Sequence, residues 1–142
     1  MTDDRRATCP AGHRAAAHLV GVPRAVVTVA AVVVVVVGVA AKLAVPGTAG
    51  DLLGSVLYTV LLALLVRLVA PRLPCAVVAG VATAASIGVE LLQLTGLPGA
   101  VSAAFPPVAW ALGTTFAATD LLGYALGGAW ALVLLTVLHR AS

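Results

Sequence analysis

Glu90 and Gln93 stand three residues apart inside an apolar run, and Asp51 and Asp120 open two further runs, in a chain of 142 residues with only five acids. Carboxylates in such surroundings can pass a proton, hold a cationic ligand or pair with a base, and weak solvation makes each interaction stronger than in water. Tyr58 and Tyr124 supply hydroxyl donors, and Lys42 supplies a cation in the neighbouring run. The spacing is helical throughout. Asp51, Ser55, Tyr58 and Thr59 are separated by four, three and one; Thr83, Ser86, Glu90 and Gln93 by three, four and three; Asp120 and Tyr124 by four. Each set falls on one helical face.

The three acids differ in what a helix does for them. Asp51 and Asp120 begin their runs, where a carboxylate can cap free N–H groups and meets the positive end of the helix dipole. Glu90 lies near the end of its run, where the dipole disfavours an anion, so an ion pair with Lys42 or a ligand-binding role is needed to explain it. Glu90, Gln93, Asp51, Asp120, Lys42, Tyr58 and Tyr124 are therefore the ligand or partner candidates. No catalytic residue is assigned. The sequence offers no nucleophile with a positioned base and no phosphate-cradling loop, and its histidines lie in the first 18 residues and at His139. Cys9, His13 and His18 lack a fourth ligand, so neither a metal nor another cofactor is expected, and an enzyme is disfavoured.

Composition says which elements must carry these residues. Hydrophobic residues make up 62% of the chain and charged residues 9%, against about 45–50% and about 25% in soluble domains. The chain is expected in a bilayer. Aromatic residues at 4%, with basic residues flanking apolar runs, exclude a nucleic-acid surface. Charges and prolines divide the chain into four spans, at about residues 25–45, 51–70, 74–94 and 120–138. A valine run such as Val32–Val37 would favour a strand in water, but a lone strand in lipid leaves its backbone unpaired. The expected fold is thus all-α, an integral membrane bundle of four transmembrane helices over residues 25–140, after a disordered cytoplasmic tail at 1–24.

Residues 95–119 are interrupted by Pro98, Gly99, Pro106 and Pro107. They read as an outer loop carrying a short interfacial or re-entrant helix around 108–116, with Phe105, Trp110 and Phe116 at headgroup level. Four spans place Arg5, Arg6, Arg14, Arg24, Arg67, Arg72 and Arg140 on one side and Lys42 alone on the other. This bias puts both termini in the cytoplasm. Arg67, near the end of its span, reaches that boundary by snorkelling. Cys9 and Cys75 then face a reducing compartment, and no disulfide is expected. The same count sets Asp51, Glu90, Asp120 and Lys42 at one depth, with Glu90 roughly 25 Å above the cytoplasmic boundary at about 1.5 Å per residue.

Small residues suggest how the spans meet. Ala76, Gly80, Ala84 and Gly88 recur every fourth position, and Gly123 and Gly127 do the same. These ridges are expected to join the third and fourth spans, with a homodimer face the less favoured use.

Gly50-Asp51 with Val56-Leu57-Tyr58, then Glu90-Leu91-Leu92-Gln93, Leu112-Gly113 with Phe116, and Asp120-Leu121-Leu122 with Tyr124 and Gly127 together resemble domain-of-unknown-function family 2809. The resemblance covers about residues 40–138, and the E-x-x-Q, D, G order is also similar to the VanZ-like membrane proteins. The first resemblance, to a bacterial family, implies a four-helix integral membrane protein without an assigned reaction, and the expected location is the bacterial cytoplasmic membrane. That family usually carries an arginine in the outer loop, and no arginine lies between Glu90 and Asp120 here. The VanZ-like pattern places an asparagine where Tyr124 stands. The expected role is a non-enzymatic membrane protein whose polar outer mouth engages a lipid headgroup, an envelope precursor or a membrane partner. The alternative is a transport or proton-relay component that uses the intramembrane acids.

Overall fold

A computed structural model describes residues 22–108 and 117–141. The tail expected over 1–24 falls almost wholly outside these residues, as does most of the short helix expected around 108–116. Five α-helices are described: α1 (Arg24–Ala44), α2 (Thr48–Val69), α3 (Cys75–Gln93), α4 (Leu97–Ala104) and α5 (Ala118–Arg140), with a 3₁₀ turn at Pro106–Val108 between the last two. The first three and α5 are long and apolar enough to cross a membrane, with mean hydropathies of 2.7, 2.3, 1.9 and 2.0. This is an all-α, multi-pass membrane architecture.

Local sequence sets the helix ends. Pro23 and Pro74 stand at the N-caps of α1 and α3, where a missing N–H costs nothing. Gly47 and Gly96 take positive φ angles of 76° and 72° immediately before α2 and α4, a conformation open to glycine. The turn at Gly47 starts α2 three residues before Asp51. The sequence also places a helix at Leu97–Ala104 where a broken loop was expected, because Pro98 sits in the first turn and does not interrupt the helix.

α2 is the centre of the bundle. It packs against α1, α3 and α5, and α3 also packs against α5, whereas α1 touches α2 alone among the described helices. Ser55 meets Gly123, and Thr59 meets Gly127. Four residues on one helix correspond to four on the other, so α2 and α5 run parallel. The connections 45–47 and 70–74 are short, which makes α1/α2 and α2/α3 antiparallel. Glu90, Lys42, Asp51 and Asp120 consequently share one end of the bundle, the acidic end, and Arg24, Arg67, Arg72 and Arg140 share the other, the arginine end.

The arginine half is filled by apolar side chains: Leu64, Val78 and Ala82 are completely buried, with Val60, Ala131 and Leu135 beside them. Lipid supplies no hydrophobic drive between helices, so this half is held by dispersion and close fit. Arg67 is not a snorkelling side chain. It is buried to 5% exposure, and its Nη1 donates to Leu73 O at 2.6 Å, closing the turn between α2 and α3. Cys75 is a free thiol.

The two ridges of small residues behave differently. A Cβ added at Gly127 would stand 2.7 Å from Val56 O and 2.8 Å from Thr59 Cβ, and one at Gly123 2.6 Å from Ser55 Cβ. These glycines seat α5 on α2, and Gly128 approaches Thr83 Oγ1 on α3. Gly80, Ala84 and Gly88 are exposed, and nothing lies within 4 Å of a Cβ added at either glycine. The α3 ridge therefore does not form the expected contact with α5. The face α3 gives to the bundle is the one carrying Val78, Ala82, Ser86 and Glu90.

Candidate functional site at the acidic end of the bundle

Polar side chains fill the half of the bundle that the apolar core leaves. Ser55, Thr59, Ser86 and Glu90 are all buried, with exposures of 7%, 0%, 0% and 0%. Their hydroxyls are satisfied locally first. Ser55 Oγ donates to Asp51 O at 2.9 Å, Thr59 Oγ1 to Ser55 O at 3.1 Å and Ser86 Oγ to Ala82 O at 3.0 Å, each the bond of a helical serine or threonine to the carbonyl one turn back. Thr59 and Ser86 also lie 3.1 Å apart, joining α2 to α3.

Glu90 sits above this pair and accepts on both oxygens. The Ala117 N–H reaches Oε1 at 2.6 Å and the Tyr124 hydroxyl reaches Oε2 at 2.8 Å. Ala117 is the N-cap residue of α5. Glu90 therefore stands at the positive end of the α5 dipole, which opposes the penalty from the C-terminal end of its own helix. The expected pairing with Lys42 is not formed. Lys42 is on α1, which reaches only α2, and its Nζ lies 2.6 Å from Asp51 Oδ1. That ion pair is about half exposed on each side, and such pairs contribute about 0–1 kcal/mol.

Neither Asp51 nor Asp120 makes a capping bond, because the N-caps of α2 and α5 are Gly47 and Ala117 and neither helix has a side-chain cap. Both acids lie in a first turn, so the dipole contribution expected there is kept without the cap. Asp120 lies beside the Ser55 hydroxyl and within the electrostatic reach of Glu90, Asp51 and Lys42. Its Oδ1 is shielded from solvent and has no hydrogen-bond partner. Tyr58 and Tyr124 meet with ring centroids 6.4 Å apart at an interplanar angle of 56°, a tilted contact of favourable geometry. Gln93 is half-buried one turn beyond Glu90.

The seven polar candidates thus lie at one end of the bundle, on α1, α2, α3 and α5. Four further contributors stood in the sequence on the same helical faces: Ser55, Thr59 and Ser86, which are buried, and Thr83, which is half-buried. Gly50 was not anticipated as a packing residue, yet a Cβ there would collide with the Val45 carbonyl. Its position just after a glycine-led turn was the available signal.

Residues 44–128, more than half of the chain, match the family described as Protein of unknown function (DUF2809). No curated protein and no solved structure matches. The family match agrees with the motif order from Gly50-Asp51 to Gly127, while the similarity to VanZ-like proteins is not supported by it. The matched segment carries α2, α3, α4 and the first half of α5 with Asp51, Glu90 and Asp120, and the chain belongs to this family of unknown function.

Proposed function

We propose that this chain is a non-enzymatic, multi-pass protein of the bacterial cytoplasmic membrane whose acidic end faces outward and holds the headgroup of a lipid or lipid-linked envelope precursor. The supporting observation is Asp120 Oδ1, a carboxylate oxygen removed from solvent whose one neighbouring hydroxyl, that of Ser55, donates to Asp51 O. Such an oxygen is costly to leave unmatched, and an ammonium or hydroxyl group of a headgroup would satisfy it. The exposed Lys42–Asp51 pair on the same rim offers a cation for a phosphate. A headgroup carrying both a donor and an anion fits this combination. The arginine bias supports placing both termini in the cytoplasm.

The proton-relay alternative rests on the Tyr124–Glu90 bond and the Thr59–Ser86 pair. Below that pair the bundle is closed by Leu64, Val78 and Leu135, which favours binding over conduction. Purification in native lipid followed by mass spectrometry of the bound species tests the proposal. A stoichiometric lipid or precursor that is retained by the wild type and lost from Asp120→Asn supports it. Identical bound species in both proteins would refute it, and proton flux in proteoliposomes would favour the relay.

A further inference from the structure

With 8 residues, α4 is too short to span, and among the described elements it touches only α3 and the Pro106–Val108 turn. Ser102 is buried and Gly99 half-buried on its protein side, whereas Leu97, Val101 and Phe105 are exposed by 57%, 46% and 59%. Spaced by four, these three share one face. Residues 91–119 contain no charged side chain and no histidine, so neither α4 nor the rest of its loop carries the charges that would keep such a face in water. A contiguous apolar face of this kind marks a contact surface.

The two ends of the loop limit where that surface can lie. The Thr95 N–H donates to Leu92 O at 3.0 Å and the Gly96 N–H to Gln93 O at 3.1 Å, so the chain turns at once at the end of α3. At the far end the Ala117 N–H is held by Glu90 Oε1. The loop therefore leaves and rejoins the bundle at the acidic edge of its lipid-facing surface. Leu91, Leu92 and Leu94 are exposed on that surface, and Leu97 continues it. The start of α4 also needs little water: the Leu97 N–H donates to Thr95 Oγ1 at 3.3 Å, the Ala100 N–H bonds Gly96 O, and Pro98 has no N–H to leave unpaired.

We propose that α4 lies in the membrane plane, with its Leu97, Val101 and Phe105 face seated in the boundary between headgroups and acyl chains of the leaflet at the acidic end. The partner of this face is the phospholipid surface. Continuity with the lipid-facing leucines of α3 selects that occupant over a second copy of the chain. Helices that lie in this plane bury their apolar side about 5–10 Å into the boundary, a depth that large side chains on one face can reach while the carbonyls at the end of α4 stay near water. The inference goes beyond the reading given for Asp120 and holds independently of what that carboxylate binds. Its consequence is that the acidic end opens at headgroup depth.

The test uses the full chain in vesicles of phosphatidylethanolamine and phosphatidylglycerol, with a photoreactive diazirine amino acid in place of Leu97, Val101 or Phe105, one at a time. All three are exposed, so the probe replaces a side chain that the fold does not enclose. Val36, exposed near the middle of α1, is the reference for the hydrocarbon interior. Irradiation followed by mass spectrometry identifies what each probe has joined. Phospholipid adducts are expected at all three positions, attached at the glycerol and first acyl carbons, whereas those at Val36 should fall nearer the chain ends. Asp120→Asn should leave the adducts unchanged, which separates α4 from the binding proposed at the acidic end. Probes quenched by water at all three positions, links between two chains in place of lipid adducts, or adducts at the acyl chain ends would each overturn the proposal.

Discussion

Tyr124 on α5 donates its hydroxyl to Glu90 on α3 at 2.8 Å, while the Ala117 N–H, seven residues earlier, occupies the other carboxylate oxygen at 2.6 Å. One buried side chain thereby fixes both the start of a helix and a position two turns along it.

Replacing Glu90 with Gln should therefore destabilise the protein, because an amide has only one acceptor oxygen for two donors. The loss is expected at about 1.5–3 kcal/mol, the range for hydrogen bonds to charged groups. Unfolding in detergent followed by circular dichroism measures it, and an unchanged midpoint would contradict the anchoring role.

A double-mutant cycle separates the two pairings. Tyr124→Phe and Glu90→Gln share a hydrogen bond and should couple by about 0.5–3 kcal/mol. Lys42→Met and Glu90→Gln should add within about 0.5 kcal/mol, since Lys42 pairs with Asp51. Strong coupling of Glu90 to Lys42 would refute the assignment.

Glycine substitutions should divide by helix. Gly127→Ala should weaken the α2–α5 contact, because the new methyl group meets the Val56 carbonyl and the Thr59 side chain, and Gly127→Leu should reduce folded yield. Gly80→Ala and Gly88→Ala meet open space, and each should leave stability unchanged or raise it by about 0.4–1 kcal/mol. Thermal melts of the four variants check the ranking, and equal losses at Gly80 and Gly127 would count against it.

The four-span topology requires both ends of the chain on one side of the membrane. Reporters active only in the cytoplasm, fused after Ser142, should be active, and reporters active only outside should be silent. The opposite pattern would reject the orientation taken from the arginine bias.

The spans were legible because charges and prolines bracket them: Arg24 and Lys42 around α1, Pro71 and Pro74 between α2 and α3. Side-chain periodicity also showed which residues share a face, and it brought Ser86 and Glu90 together correctly. It could not show which helix that face meets. Gly123 and Gly127 form a contact surface as their spacing suggests, but the partner is α2. The α3 glycines have the same spacing and face outward. Glu90 and Lys42 lie at one depth on helices that never touch, a matter of lateral arrangement that a count along the membrane normal does not contain. The helix at Leu97–Ala104 was hidden by Pro98-Gly99, a pair that reads as a breaker until the chain places Pro98 in a first turn.

The bonds that Ser55, Thr59, Thr83 and Ser86 make to carbonyls one turn back bear on how the protein is synthesised. Gly123 and Gly127, which later cover Ser55 and Thr59, are translated 68 residues after them. A hydroxyl that depended on α5 for its donor's partner would wait in hydrocarbon until the ribosome had made that helix. Because each is already satisfied within its own helix, α2 and α3 can leave the insertion machinery one at a time and remain in the bilayer until α5 arrives. The arrival of α5 then brings the main chain and the phenol that Glu90 has been missing, making its docking the step that completes the bundle.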